Sequence, residues 1–241
     1  MAVERLAPNT TLRTPAGLKS HSYQGQDLYV VEALGGLRDG FFLDSGASDG
    51  VSGSNTLLLE TSFDWRGICV EPNDQLFDRL ARARRSTCVH CCLYDRAGEV
   101  QFFEAAGVLG GILDEYDPNL LSQARSLVAS RAGGGHSDPV TKPARTIGSI
   151  LQQLDAPRTI DYWSLDTEGS ELAILKSFPF QEYVVRLLTV EHNLSPNREK
   201  IRRFLEAHGY RRTRVLGIDD AYLLEVPASH AWRSGAWSRS R

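Results

Sequence analysis

The sequence has no apolar run near the roughly 18 residues that a membrane-spanning helix needs, so no membrane span is expected. Its first residues hold no sustained apolar core, because Pro8, Asn9, Thr10 and Thr11 interrupt it, and no secretory leader is expected. It also lacks a charge imbalance. Lys plus Arg number 27 against 30 Asp plus Glu, a formal net charge of −3, which gives no reason to expect nucleic acid as a partner. The two basic clusters, Arg82-Ala83-Arg84-Arg85 and Arg211-Arg212-Thr213-Arg214, read as a solvated helix end and a solvated strand. Cysteine is sparse. Cys69, Cys88, Cys91 and Cys92 sit in or beside apolar runs rather than in loops, so reduced thiols in a cytoplasmic protein are expected and a disulfide framework is not. Cys88-x-x-Cys91 has no second ligand pair, which argues against structural zinc. Finally, no G-x-G-x-x-G occurs, and with it goes the usual clamp for a dinucleotide pyrophosphate.

What is present is an alternation of strands and helices. A chain of 241 residues suits one α/β domain with some decoration. A polar arm is expected over 1–21, a single domain over 22–226, and a loose tail over 227–241. A first helix is expected from Gln26 to Leu37. Strands are expected at Phe41–Asp44, Ile68–Val70, Thr87–Leu93, Thr159–Leu165 and Tyr183–Val190, with Glu99–Glu104 as a hairpin partner of the third. Helices are marked by Leu57-Leu58-Leu59, by Leu76, Phe77 and Leu80, by Ile147, Ile150 and Leu151, by Ile174 and Leu175, and by Ile201 and Leu205. Tyr210–Leu216 and Ala221–Val226 form a C-terminal hairpin. Residues 105–139, rich in glycine, break the pattern and are a candidate lid. The expected fold is a doubly wound, mostly parallel sheet with that antiparallel hairpin at its end.

In such a sheet the ligand lies outside the carboxyl ends of the strands. Here those ends are acidic: Asp44, Glu71, Asp166-x-Glu168 and Glu191-His192. A core does not ask for carboxylates there, because a buried ionised group costs several kcal/mol unless paired. The first loop, Asp44-Ser45-Gly46-Ala47-Ser48-Asp49-Gly50, has small residues where a ligand must come close, and its glycines permit positive φ. Asp44 and Asp49 would repel a pyrophosphate and suit a cationic ligand such as a sulfonium with an α-amino group. Glu71 stands at the second strand end, as an acidic ribose binder should. Pro72 keeps Glu71 extended, and Asn73 follows at the helix start.

Four segments now carry a resemblance: Phe42-Leu43-Asp44-Ser-Gly-Ala-Ser-Asp-Gly50, Cys69-Val70-Glu71-Pro72-Asn73, Ile160 to Glu171 with its D-x-E-G-x-E, and Thr189-Val190-Glu191-His192-Asn193. Together they resemble the FkbM-type methyltransferases from about Ser22 to Val226. The resemblance implies a Rossmann-like class I methyltransferase fold, S-adenosyl-L-methionine as methyl donor, and a hydroxyl of a small molecule, a sugar or secondary metabolite, as acceptor. Carried over by position, Asp44, Gly46 and Gly50 line the methionine part, Glu71 the ribose, and the neighbourhood of Cys92-Leu93 the adenine; Asp166 joins this set. Ser45 departs from the family, where an aliphatic residue is commoner. Tyr23-Gln24-Gly25-Gln26-Asp27 is a shuffled form of the family's S-Q-x-G-Q-D lead-in.

For the chemistry, His192 is the first candidate base, since its unperturbed pKa is about 6.5; Glu191 is its candidate orienting partner. Asp166 and Glu168 compete for the role. Neighbouring strand residues point to opposite faces, which leaves Glu191 and His192 an uncertain pair. No metal is required, but Asp166, Glu191 and His192 are the ligands if Mg²⁺ takes part. Two other readings stay open: an NAD-dependent oxidoreductase, disfavoured by the missing glycine fingerprint, and a cofactor-binding module without turnover.

Overall fold

The first strand, β1 (Phe41–Ser45), is buried on both faces. Successive strand side chains point to opposite sides, so Phe42 enters one core and Leu43 another. The same alternation recurs in every central strand, and a helical layer therefore covers each face of the sheet. The computed structural model describes residues 17–116, 118–130 and 138–225. The expected tail over 227–241, most of the arm over 1–21, and Gly133-Gly134-Gly135 lie outside them.

After β1 the strands are β2 (Arg66–Val70), β3 (Thr87–Val89), β4 (Cys92–Leu93), β5 (Gly98–Phe102), β6 (Val140–Arg145), β7 (Thr159–Leu165), β8 (Val184–Glu191), β9 (Tyr210–Leu216) and β10 (Asp219–Leu224). The helices are α1 (Gln26–Ala33), α2 (Leu57–Ser62), α3 (Asp74–Ala83), α4 (Pro118–Ala129), α5 (Ile147–Gln153), α6 (Glu171–Ser177) and α7 (Asn197–Ala207). A seven-stranded sheet runs β3-β2-β1-β7-β8-β10-β9. Its strands are parallel from β3 to β8, while β10 is antiparallel to both β8 and β9. This is the doubly wound sheet with a C-terminal hairpin that the alternation predicts. Leu43, Ile68, Trp163 and Leu188 pack on α5, α6 and α7, and Phe42, Cys69, Tyr162 and Leu187 pack on α1, α2 and α3. Each such apolar side chain contributes about 1.5–3 kcal/mol by leaving water. No helix among the described residues is long and apolar enough to cross a membrane.

Several expectations need correction. The first helix stops at Ala33, not Leu37, because Gly35 and Gly36 turn the chain with φ of 62° and 71°. The third strand is two strands. β3 belongs to the large sheet, and after His90-Cys91 β4 joins a second sheet of order β4-β6-β5. β5 therefore pairs with β6, antiparallel, and not with the third strand. Strand β6 was not visible in Thr-Lys-Pro-Ala-Arg, whose Pro143 and Lys142 break any apolar alternation; Lys142 is nonetheless buried and paired with Asp74 and Glu104. Within 105–139 there is regular structure. A 3-10 turn at Glu104–Leu109 and helix α4 share a small core of Phe103, Ala106, Tyr116, Ala124 and Val128.

In the first basic cluster Arg82 and Arg85 are exposed, as expected of a helix end, but Arg84 is not. The Arg84 side chain is wholly buried beneath the first loop. It donates to Thr56 Oγ1 at 2.9 Å and to Ser54 Oγ and the Gly50 carbonyl at 3.3 Å. It lies 3.4 Å from Glu60 and 3.8 Å from Asp44, with its guanidinium over the Phe42 ring. Thr56 in turn donates to Asp44 at 2.5 Å. In the second cluster Arg211, Arg212 and Arg214 face Glu225, Asp220 and Glu32.

Removing one partner of a buried ion pair leaves an uncompensated charge and costs about 3–5 kcal/mol. Arg84→Met keeps the apolar stem but strands Asp44 and Glu60. The expected outcome is a loss of that order in denaturant-derived stability; an unchanged unfolding midpoint would remove Arg84 as the support of the loop.

Candidate active site

Strand order reverses between β1 and β7, which opens a crevice at their carboxyl ends. Two features bring the chains together there. The Asp166 N–H donates to the Ser45 carbonyl at 3.0 Å, and the Gly46 and Ala47 N–H groups both donate to the Val70 carbonyl at 3.0 Å. Gly46 has φ of 81°, and a Cβ on it would stand 1.7 Å from the Asp166 carbonyl oxygen. No other residue fits. Gly50, with φ of 77°, meets the Arg84 and Leu80 side chains in the same way, at 2.7 Å. Both glycines are thus needed for a close approach, and the partner is the protein itself.

Glu71 leaves the end of β2 and is almost fully buried. Its Oε2 accepts from the Ser48 N–H and its Oε1 from the Asn73 N–H, each at 2.8 Å. Ser48 reaches it by adopting a φ of 52°. Each carboxylate oxygen keeps a further lone pair. Burial pushes the Glu71 carboxyl up to about 7, against those two hydrogen bonds, and the nearby Asp44 and Glu104 charges add to the rise. Asp44 is also pushed up by burial, with Arg84 and Thr56 opposing.

A cavity of about 270 Å³ occupies the crevice. Asp44, Gly46, Ala47, Glu71 and Pro72 line it, as do Cys92, Leu93, Asp166, Glu168 and Glu191. Five residues of the expected set do not, His192 among them. Ser45 Oγ accepts from the Trp163 indole at 2.9 Å, inside the core. Asp49 closes its own turn on the Val51 and Ser52 N–H groups. Gly50 packs on Arg84, and Asn73 caps α3 through Gln75 and Leu76. Sequence reasoning missed Asn55, whose Nδ2 donates to Ser164 Oγ and whose buried Oδ1 has no partner. It also missed Leu76, Phe102 and Ile112, which give the Cys92-Leu93 end an apolar wall. Phe102 comes from the second sheet, which no local pattern announces.

Asp166, Glu168 and Glu191 form an acidic patch of the cavity wall, with one oxygen from each within 4.8 Å of the others. Burial raises all three carboxyls, and each is raised further by acidic neighbours; Glu168 lies at about 7. Asn193 donates to Glu168 at 3.1 Å. Glu171 clamps the loop between them, accepting from the Thr167 and Gly169 N–H groups at 2.8 and 3.1 Å.

His192 is not part of this cluster. β8 turns Glu191 toward the cavity, so its neighbour points away. The imidazole is buried; its Nδ1 accepts from the Leu194 N–H at 3.0 Å, and Nε2 lies 3.8 Å from Asp220. Burial and then the Arg198 charge push it down to about 4, so the ring is neutral with its proton on Nε2. The expected Glu191–His192 partnership and the expected nitrogen ligand for a metal are both absent from this arrangement.

Among solved structures the chain is similar to the methyltransferase FkbM of Methylobacillus flagellatus KT, with 17% identity and a TM-score of 0.49 over 84% of this chain and 48% of that one. It is similar also to a precorrin-6y C5,15-methyltransferase of Geobacter metallireducens GS-15, with 13% identity and a TM-score of 0.46 over 88% and 94%. No curated protein matches it. The family model described as the methyltransferase FkbM domain matches residues 44–212, a span that contains both glycines of the first loop, Glu71 and the whole carboxylate cluster. The chain belongs to the FkbM methyltransferase family.

Proposed function

We propose that the protein transfers a methyl group from S-adenosyl-L-methionine to a hydroxyl of a small-molecule acceptor. Glu71 is the observation that carries the cofactor assignment. Two backbone N–H groups fix its carboxylate beside the cavity, with a lone pair left on each oxygen, which suits the two hydroxyls of a ribose. Leu76, Cys92, Leu93 and Phe102 make the apolar end that an adenine needs. The unpartnered Asn55 Oδ1 is an acceptor for the methionine ammonium. When bound, the sulfonium supplies an electrophilic methyl group, and acidic walls favour that positive charge. Transfer breaks one C–S bond and makes one C–O bond, and the hydroxyl proton passes to a carboxylate of the Asp166, Glu168 and Glu191 cluster. Holding the two reacting atoms about 3–3.5 Å apart supplies much of the rate.

We place the acceptor at the Asp166, Glu168 and Glu191 end of the cavity. Residues 105–139 are the proposed lid of the single domain over 22–226. Their 3-10 turn contributes Gly107, Val108, Leu109 and Gly110 to the cavity wall, and Val108 presents an exposed side chain there. A small acceptor fits better than nucleic acid, because Arg211, Arg212 and Arg214 are each turned to a carboxylate. The four free thiols suit a reducing, cytoplasmic compartment.

Calorimetry with S-adenosylhomocysteine tests the assignment. Glu71→Gln is expected to weaken binding about tenfold or more, the worth of hydrogen bonds to a charged acceptor; equal affinity would overturn the ribose role. Its pH dependence follows. The ionised carboxylate accepts from both hydroxyls, so affinity is full above the free-protein value of about 7 and falls about tenfold per pH unit below it. Glu71→Gln should flatten that slope, and a wild-type affinity constant between pH 5 and 8 would contradict it. For His192→Ala, kcat is expected to stay within a few-fold of wild type. A loss of the 10²–10⁴-fold expected for a general base would restore the histidine to the chemistry.

A further inference from the structure

We infer that Asp166, Glu168 and Glu191 form a divalent-cation site. Three carboxylate oxygens from the ends of β7 and β8 lie within 4.8 Å of one another. No salt bridge joins any of the three to a lysine, arginine or histidine among the described residues. Their nearest charged neighbours, Glu171 and Asp219, are acidic as well. Both of these have other work: Glu171 clamps the loop through Thr167 and Gly169, and Asp219 accepts from Gln26 at 2.8 Å.

A separate observation points to something between the carboxylates and the wall that faces them. Tyr116 is 7% exposed, its hydroxyl has no hydrogen-bond partner, and it lies close enough to Glu168 and Glu191 to feel both charges. Glu191 is 4% exposed, and its Oε2 is likewise unpartnered. A buried phenol and a buried carboxylate oxygen, each without a partner beside the acidic cluster, leave room for a polar occupant to be supplied. A hydrated ion supplies one, with water bound to the metal meeting the phenol oxygen.

The donor set selects the ion. Carboxylate oxygens with no nitrogen or sulfur suit Mg²⁺ or Mn²⁺, which keep several waters and exchange one for a substrate oxygen. His192, the nitrogen ligand expected from the sequence, is turned away from the cluster, with Nδ1 bonded to Leu194 and Nε2 toward Asp220. An ion here would polarise an acceptor hydroxyl as a Lewis acid, which explains why no histidine base faces the cavity. That last role rests on the proposed methyl transfer; the binding of the ion does not.

Metal-free protein titrated with Mn²⁺, followed by the loss of the free-ion electron paramagnetic signal, tests the site. The expected result is about one saturable site per chain, with Mg²⁺ competing, weakened about tenfold or more in Glu168→Gln and in Glu191→Gln. Thermal midpoints of both variants show that they fold. Lack of saturable Mn²⁺ binding by the wild type at millimolar concentration, or binding undiminished in both variants, overturns the site. S-adenosylhomocysteine is titrated into the same samples. If it binds where Mn²⁺ does not, the cation site fails and the methyl-transfer reading stands; if Mn²⁺ alone binds, the reverse holds. Full turnover in EDTA would overturn the Lewis-acid role, while the Mn²⁺ titration alone decides the site.

Discussion

The first loop of this protein stands on a buried positive charge. Arg84 comes up from the C-terminal end of α3 and holds the loop from below through Gly50, Ser54 and Thr56, while its charge lies between Asp44 and Glu60. Burying one such charge costs several kcal/mol unless partners surround it. The partners are fixed by separate elements: Asp44 by β1, Glu60 by α2, and Thr56 by the turn before it. Desolvation acts on Glu60 as on the others, yet hydrogen bonds from Ser86 and Arg85 hold its carboxyl below the usual range. A loop supported in this way cannot shift without breaking several charge-assisted bonds together, and its orientation toward the crevice is set before any ligand arrives.

The second constraint is steric. Strands β1 and β7 converge until Gly46 touches the Asp166 carbonyl, and the convergence aims the two strand ends at one cavity. On the far side Gly169, with φ of 123°, brings the β7–α6 turn against the Glu115 carbonyl, 2.5 Å from where its Cβ would stand. The turn beyond β7 is therefore pinned from two directions, by Gly46 through Asp166 and by the segment before α4. That pinning delivers Asp166 and Glu168 to the same end of the cavity, and it explains why so short a segment, D-x-E-G-x-E, can carry so much of the family pattern.

Much of the fold was legible because it depends on local periodicity. Continuous apolar runs such as Tyr183–Val190 mark doubly covered strands, and acidic residues that interrupt them mark the ligand edge. What was not legible depends on contacts distant in sequence. Strand β6 is polar, holds a proline, and exists because β4 and β5 flank it. The burial of Arg84 could not be read from Arg82-Ala83-Arg84-Arg85, because it follows from the extended backbone that Arg84 adopts just past the end of α3. Asn55 sits in an irregular turn, so no period marks it. His192 was attractive for its chemistry alone, and the alternation of β8, a local rule, is what turns it away from the cavity.

The acids at the strand ends prove to be of two kinds. Asp44, Asp49 and Glu171 are occupied by the fold: the first by Arg84 and Thr56, the second by its own turn, the third by the loop that it clamps. Glu71, Glu168 and Glu191 keep unused acceptor capacity inside the cavity, and burial raises each of them. A raised carboxyl is a cost that the folded protein carries above the unfolded-state value of about 4.3. The cost shrinks as pH falls toward that value, and at neutral pH it is relieved only by a partner. In the proposed function, hydroxyl donors would relieve it at Glu71 and positive charge would relieve it at Glu168 and Glu191. The sequence shows these acids without distinction; only the bonds that the fold has already made separate those that support the site from those that keep free acceptor capacity.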